Sequence, residues 1–107
     1  LSETERMQKV HNYVLQHFDQ EIRLKDVAAF AGMSEAAFCR YFKARSNKTF
    51  IDFVNEIRIG HACKLLLEDE LTIANIAFDS GFDSLSNFNR NFKKYIGHTP
   101  REYRANY

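Results

Sequence analysis

Apolar residues recur along the chain three or four positions apart, which is the spacing of one helical face. This spacing predicts a first helix over about residues 3–18 and a long fourth helix over about residues 49–68. Shorter helices are predicted between and after these two, and no segment keeps the two-residue alternation of a half-buried strand. The pattern therefore predicts an all-α fold of seven helices.

The predicted helices begin and end at residues suited to those positions. Ser and Thr side chains accept hydrogen bonds from the free N–H groups of a first helical turn, and Pro suits the first helical position. The predicted N-terminal caps are Ser2, Ser34, Thr49, Thr72, Ser84 and Thr99. Gly, and less often Asn, adopts the left-handed backbone that ends a helix. The predicted stops are Gly32, Asn47, Gly81 and Gly97.

The second and third helices recur in the sequence as the fifth and sixth. An offset of 49 residues relates Leu24, Val27, Ala28 and Gly32 to Ile73, Ile76, Ala77 and Gly81, in that order. One residue is then inserted, and an offset of 50 relates Ser34, Phe38, Arg40, Phe42, Lys43 and Thr49 to Ser84, Phe88, Arg90, Phe92, Lys93 and Thr99. Two copies are too few for a solenoid, which needs about three. The repeat predicts one domain with helix–turn–helix segments at residues 3–48 and 69–107, joined by a linker helix at 49–68.

Each copy has the form of a DNA-binding helix–turn–helix, in which the second helix enters the major groove. Phe38 and Phe42 are expected to face inward on the third helix, as Phe88 and Phe92 are on the sixth. The outward residues predicted to contact DNA are Ala36, Cys39, Arg40 and Lys43 in the first copy, and Ser86, Asn87, Asn89, Arg90, Lys93 and Lys94 in the second.

The two copies differ in the bases that they are equipped to read. Arg pairs with guanine, and Asn with adenine, through two hydrogen bonds each, so the second copy carries more base-reading groups. Alanine in the first copy allows close approach and contact with a thymine methyl group, but no hydrogen bond to a base. The backbone N–H groups beside Thr49 and Thr99 are predicted to bind phosphates at helix N-termini.

Charge is distributed unevenly along the chain, although the net charge is only +1. Residues 34–50 and 83–107 each carry a net charge of +3, whereas residues 51–82 are acidic. Local positive potential is sufficient to bind a polyanion, so the small net charge does not argue against nucleic acid. A single basic block would also be explained by a solvated helix face.

Composition and motifs exclude several other classes of protein. The chain has 107 residues, of which 45% are hydrophobic, and ten Phe residues argue against disorder. No apolar run approaches the length of a membrane span, and no signal peptide is visible, so a cytoplasmic location is expected. Cys39 and Cys63 form no CxxC pair, and His11 and His17 lack the spacing of metal ligands on a helix. Neither an enzymatic activity nor a cofactor is expected, because no phosphate-binding loop or metalloprotease motif is present.

Two stretches of the sequence resemble one family of regulators. Residues 81–104, GFDSLSNFNRNFKKYIGHTPREYR, resemble the C-terminal signature of AraC/XylS-type transcription regulators. Residues 58–82, RIGHACKLLLEDELTIANIAFDSGF, are similar to the linker and fifth helix of that family. This sequence departs from the family pattern at Arg23, at Asn47 and at the short side chains of Ala36 and Ala37.

The resemblance implies seven helices, with two helix–turn–helix units joined by the fourth helix. The positions that it places at or near the bases are Ala36, Cys39, Arg40, Leu85, Ser86, Asn87, Asn89 and Arg90. It also implies a second domain, absent here, for effector sensing or dimerisation, and a place beside RNA polymerase. The chain does not begin with Met and is expected to be a fragment. Asp79 and Asp83 flank the second turn and are either polymerase contacts or ordinary surface charges.

These observations favour a sequence-specific double-stranded DNA-binding domain of a bacterial transcription regulator, with activation as its expected role. The alternative is a helical protein-interaction module that keeps the fold but has lost DNA binding. Ala36, Ala37 and the low net charge support the alternative, whereas basic blocks at equivalent positions of both copies argue against it.

Overall fold

The computed structural model describes residues 2–68 and 70–107, and these residues form seven α-helices without strands, as predicted. The helices are α1 Glu3–His17, α2 Leu24–Phe30, α3 Glu35–Ser46, α4 Phe50–Glu68, α5 Ile73–Asp79, α6 Leu85–Ile96 and α7 Pro100–Asn106. The predicted start of the second helix–turn–helix, at Asp69, lies outside the described residues. None of the described helices is both long and apolar enough to cross a membrane.

Side-chain caps begin most of these helices at the predicted residues. The hydroxyl groups of Ser34, Thr72 and Ser84 each accept a hydrogen bond from the backbone N–H three residues later, at 3.1–3.2 Å. α2 differs, because its N-cap residue is Arg23, whose side chain makes no capping hydrogen bond. This difference agrees with the departure from the family pattern that the sequence shows at Arg23.

α3 and α6, the second helices of the two helix–turn–helix copies, end in the same way despite different residues. Asn47 has a φ of +60° after α3, and Gly97 has a φ of +84° after α6. Each donates its backbone N–H to the carbonyl of a lysine four residues earlier, Lys43 or Lys93, at 2.9 Å. Asn tolerates the left-handed region better than other residues with a side chain, which is why Asn47 serves where Gly is common.

The chain divides into two compact units, Leu1–Val54 and Asn55–Tyr107. In the first unit, α1 contributes the buried residues Val10 and Val14 to the core. α3 contributes Phe38 and Phe42, which are fully buried. Each of the two rings packs edge-to-face with Phe50, and the distances between ring centroids are 5.2 Å for Phe38 and 5.4 Å for Phe42. This aromatic packing fixes which side of α3 faces the core, as predicted.

The second unit has an aromatic core of the same kind. Phe88 and Phe92 of α6 are fully buried, and their ring centroids lie 5.6 Å apart. Phe88 also contacts Phe82 at 5.3 Å, and Phe92 contacts Tyr103 of α7 at 5.6 Å, both with the rings nearly perpendicular. Aromatic side chains on one stripe of α6 therefore leave its opposite, polar side exposed.

The turn between the two helices of each copy is built by matching backbone hydrogen bonds. Gly32 and Gly81 both have positive φ, at +75° and +99°. The matching bonds are Gly32 N to Ala29 O with Met33 N to Ala28 O, and Gly81 N to Phe78 O with Phe82 N to Ala77 O. The 49-residue offset seen in the sequence thus continues through the turn to Met33 and Phe82. The inserted residue of the second copy is therefore Asp83, which lies just before the cap Ser84.

Replacing Ser80 with alanine is expected to raise the free energy of unfolding by about 1 kcal/mol. Ser80 is fully buried, and its hydroxyl group has no hydrogen-bond partner among the described residues. The equivalent position of the first copy is Ala31, so the fold accommodates a methyl group at this point. Urea unfolding followed by circular dichroism would measure the change. The matched variant Ala31→Ser should lower stability, and a less stable Ser80→Ala would contradict the interpretation.

Candidate nucleic-acid interface

The outward face of α3 carries few groups that hydrogen-bond a base. Ala36, Cys39, Arg40 and Lys43 are all exposed, as predicted, whereas Ala37 is half-buried. Arg40 and Lys43 are the polar groups among them with long side chains. Glu35 lies in the first turn of the same helix and is exposed, so it places a negative charge beside the end that would enter the groove. This face is therefore suited to contact DNA mainly through charge and close approach.

The outward face of α6 is polar and basic. Ser86, Asn89, Arg90, Lys93 and Lys94 are exposed, as predicted. No acidic residue occurs anywhere in α6, whose sequence is LSNFNRNFKKYI. A helix surface that carries both base-pairing side chains and several basic side chains is what the major groove and its flanking phosphates require.

Asn87 is the exception among the residues predicted to contact DNA on α6. Its side chain is half-buried and its amide oxygen accepts a hydrogen bond from Arg90 Nη2 at 2.8 Å. Asn91 is buried at a position that looks toward the core, and its amide nitrogen also donates to the Asn87 side-chain oxygen. The repeat could have indicated the burial of Asn91, because Asn91 matches the buried Tyr41 at the 50-residue offset.

The two threonines predicted to hold phosphates both cap helices. Thr49 accepts a hydrogen bond from Asp52 N at 3.1 Å at the start of α4. Thr99 forms a reciprocal capping box with Glu102, in which the Glu102 carboxylate accepts from Thr99 N at 2.8 Å. That backbone hydrogen bond lowers the pKa of Glu102, so the carboxylate is ionised at neutral pH. Since Pro100 has no N–H, the first turn of α7 offers a phosphate little beyond the N–H of Arg101.

Arg101 is a candidate contact that the sequence analysis did not single out. Its side chain is exposed and lines a cleft together with Leu85, Asn89 and Thr99. The cleft joins the start of α6 to the start of α7. The position of Arg101 directly after Pro100 could have indicated a DNA contact, because it places Arg101 in the first turn of α7.

Not every basic residue of the first basic block is available for DNA. Arg45 forms an ion pair with Glu3 of α1, and its guanidinium lies over the Tyr41 ring, 4.2 Å from the ring centroid. Residues 42 positions apart in the chain form this pair, so local spacing gave no indication of it. The positive charge that faces outward from α3 is therefore that of Arg40 and Lys43.

Known proteins similar to this chain share both its sequence pattern and its fold. The model of the helix-turn-helix domain family matches residues 27–106. An uncharacterised helix-turn-helix-type transcriptional regulator of Bacillus subtilis, YdeC, is 32% identical over 99 residues, which are 92% of this chain and 34% of that protein. The chain thus spans about a third of the length of that relative.

Two solved structures illustrate the likeness in fold. The C-terminal domain of AraT, a response regulator from Geobacillus stearothermophilus, is 33% identical, with a TM-score of 0.90 over 100% of this chain and 88% of that one. The DNA-binding domain of AdpA, solved in complex with a target DNA, is 25% identical, with a TM-score of 0.87 over 94% of this chain and 90% of that one. The chain belongs to the helix-turn-helix domain family, and within it to the AraC/XylS type that its sequence resembles.

Proposed function

We propose that this chain binds double-stranded DNA sequence-specifically, as the DNA-binding domain of a bacterial transcription regulator. The observation that carries the proposal is the outer face of α6, where Asn89, Arg90, Lys93 and Lys94 are exposed on a helix without acidic residues. The likeness to the DNA-binding domain of AdpA, which was solved with a target DNA, supports it. α6 reads bases, and α3 contributes mainly charge and close approach.

The proposal extends to the longer protein from which such a domain comes. A second domain senses an effector or mediates dimerisation, since the chain matches only about a third of its Bacillus relative. The regulator works in the cytoplasm and activates transcription by touching RNA polymerase. Asp79 and Asp83, which are exposed on either side of the second turn, are the acidic side chains proposed for that contact.

Replacing Arg90 or Lys93 with alanine is expected to have different consequences for binding. Arg90 suits a guanine edge, and its loss should cost about 1–3 kcal/mol and relax preference at one base pair. Lys93 lies nearly one helical turn further along α6, where its ammonium group suits a phosphate. Its loss should weaken binding to all duplexes about equally.

The experiment selects preferred duplexes from a random pool and then measures affinity for the selected and scrambled sequences by gel shift. Circular dichroism first establishes that both variants are fully helical. If Arg90→Ala lowers affinity for selected and scrambled duplexes by the same factor, then Arg90 contacts the backbone and the assignment of α6 as the base reader is wrong. If no sequence is enriched from the pool, sequence-specific binding itself is excluded.

A further inference from the structure

The side-chain oxygen of Asn87 is fully used within the protein. It accepts one hydrogen bond from Arg90 Nη2 at 2.8 Å and a second from Asn91 Nδ2 at 2.9 Å. An amide oxygen has two lone pairs, so both acceptor positions are occupied. Asn reads adenine by accepting a hydrogen bond at this oxygen while donating from its nitrogen. In this arrangement Asn87 therefore lacks the free acceptor that adenine recognition needs.

Asn87 is held in this orientation from two sides. Asn91 is only 7% exposed, and its amide nitrogen donates to both the backbone carbonyl and the side-chain oxygen of Asn87 at 2.9 Å. Burying an amide is costly unless it is hydrogen-bonded, so Asn91 stabilises one orientation of Asn87. On the other side, the Asn87 amide nitrogen faces Asp83 Oδ1 at 3.5 Å.

Asp83 interacts electrostatically with Arg58 of α4, within the second unit. Burial lowers the pKa of Arg58 in α4, and the carboxylate of Asp83 acts in the opposite direction and raises it. Arg58 also lies over the ring of Phe82, 6.0 Å from the ring centroid. Asp83 is the residue inserted in the second copy, so the carboxylate that faces Asn87 has no counterpart in the first.

The first copy provides an internal comparison. Arg40 is equivalent to Arg90, but the residues equivalent to Asn87 and Asn91 are Ala37 and Tyr41. Alanine has no polar side-chain atom, and the Tyr41 hydroxyl donates to the backbone carbonyl of Glu3. The hydrogen-bonded group of Asp83, Asn87, Asn91 and Arg90 is thus a property of the second copy.

We infer that Asn87 is a positioning residue, which orients the Arg90 guanidinium toward one guanine and so sets the preference at that base pair. The inference rests on the proposed function. Arg90 keeps enough donors for a bidentate contact, because only one of its five N–H groups is engaged by Asn87. A guanidinium that is already oriented loses less freedom on binding and is less able to adjust to a different base.

A double-mutant cycle on the full chain tests this role. The base pair whose preference is lost in Arg90→Ala is identified first, and affinity is then measured for duplexes with that pair intact or replaced. Asn87→Ala is expected to reduce discrimination at this same pair by roughly 3- to 10-fold, the order of a coupling between contacting residues. In an Arg90→Ala background, Asn87→Ala is expected to have no further effect on discrimination.

Two further variants separate positioning from base reading. Asn87→Asp, combined with Asp83→Asn so that two carboxylates do not face each other, keeps an oxygen that accepts from Arg90 and Asn91 but has no donor for adenine. Positioning therefore predicts that this double variant retains discrimination at the Arg90 base pair. Asn89→Ala, on the exposed side of α6, is the matched control, and its effect should add to that of Arg90→Ala. Thermal unfolding checks that each variant is folded. Discrimination is the ratio of the affinities for the two duplexes, so a loss of affinity that is equal for both does not change it.

Two outcomes would overturn the inference in distinguishable ways. If Asn87→Ala changes the preference at a second base pair, independently of Arg90, then Asn87 reads a base and only the positioning role fails. If the wild-type chain enriches no duplex at all, the proposed function fails and the inference fails with it.

Discussion

Binding to duplex DNA is expected to weaken roughly 250- to 1,000-fold when monovalent salt rises from about 50 to 200 mM, which corresponds to a slope of log K against log salt of about −4 to −5. The physical cause is the release of counterions from phosphates that basic side chains neutralise. Apart from Arg45, which is paired with Glu3, the exposed basic side chains on the two candidate helices are Arg40, Lys43, Arg90, Lys93 and Lys94. Fluorescence anisotropy titrations at several salt concentrations would measure the slope.

Arg45→Ala is the matched control for this experiment. Because the Arg45 guanidinium is paired with Glu3 and lies over Tyr41, its removal should leave the slope nearly unchanged. Lys93→Ala should reduce the magnitude of the slope by about one. A slope near zero for the wild-type chain would instead favour the helical protein-interaction module over a DNA-binding domain.

Replacing Phe88 with alanine is expected to lower the free energy of unfolding by about 3–5 kcal/mol. Phe88 is fully buried, and its ring packs against Phe82 and Phe92 in the core of the second unit. Its loss removes apolar contact and leaves a cavity behind the helix that carries Arg90. Since domains of this size are stable by only about 5–15 kcal/mol, much of the second unit's stability would be lost.

Denaturant unfolding followed by circular dichroism would measure the effect of Phe88→Ala. Leu85→Ala provides the comparison on the same helix, because Leu85 is 40% exposed and its truncation should change stability by about 0.5 kcal/mol or less. A loss below about 1 kcal/mol for Phe88→Ala would mean that the aromatic cluster does not fix α6 to the core.

The elements of this fold could be predicted from the sequence because their signals are local. Capping by Ser34 and Ser84, and the left-handed stops at Asn47 and Gly97, each involve residues within about four positions of one another. The inward direction of Phe88 likewise follows from helical periodicity, since Phe92 recurs four residues later on the same stripe. The repeat doubles these signals for the second and third helices, and all seven predicted helices are present in the structure.

The candidate interface was less predictable, because the use of a polar side chain depends on what it meets after folding. Periodicity alone places Asn87 near the outer face of α6, yet the structure directs its oxygen toward Arg90 and Asn91. Arg45 counts as a positive charge in the sequence, but a distant residue, Glu3, takes up that charge. The phosphate site predicted at Thr99 is affected in a similar way, because the backbone N–H of Thr99 already donates to the Glu102 carboxylate.

The division between the two units falls inside a helix, between Val54 and Asn55 of α4. The α-helical hydrogen bonds that run four residues back along the chain therefore cross the boundary. A fragment beginning at Asn55 would expose the N–H groups of a new first turn and would lack the cap at Thr49. A fragment ending at Val54 would keep only one turn of α4, which is too short to be helical by itself. Cutting the chain between Val54 and Asn55 would therefore remove helical hydrogen bonds from the end of one unit and the start of the other.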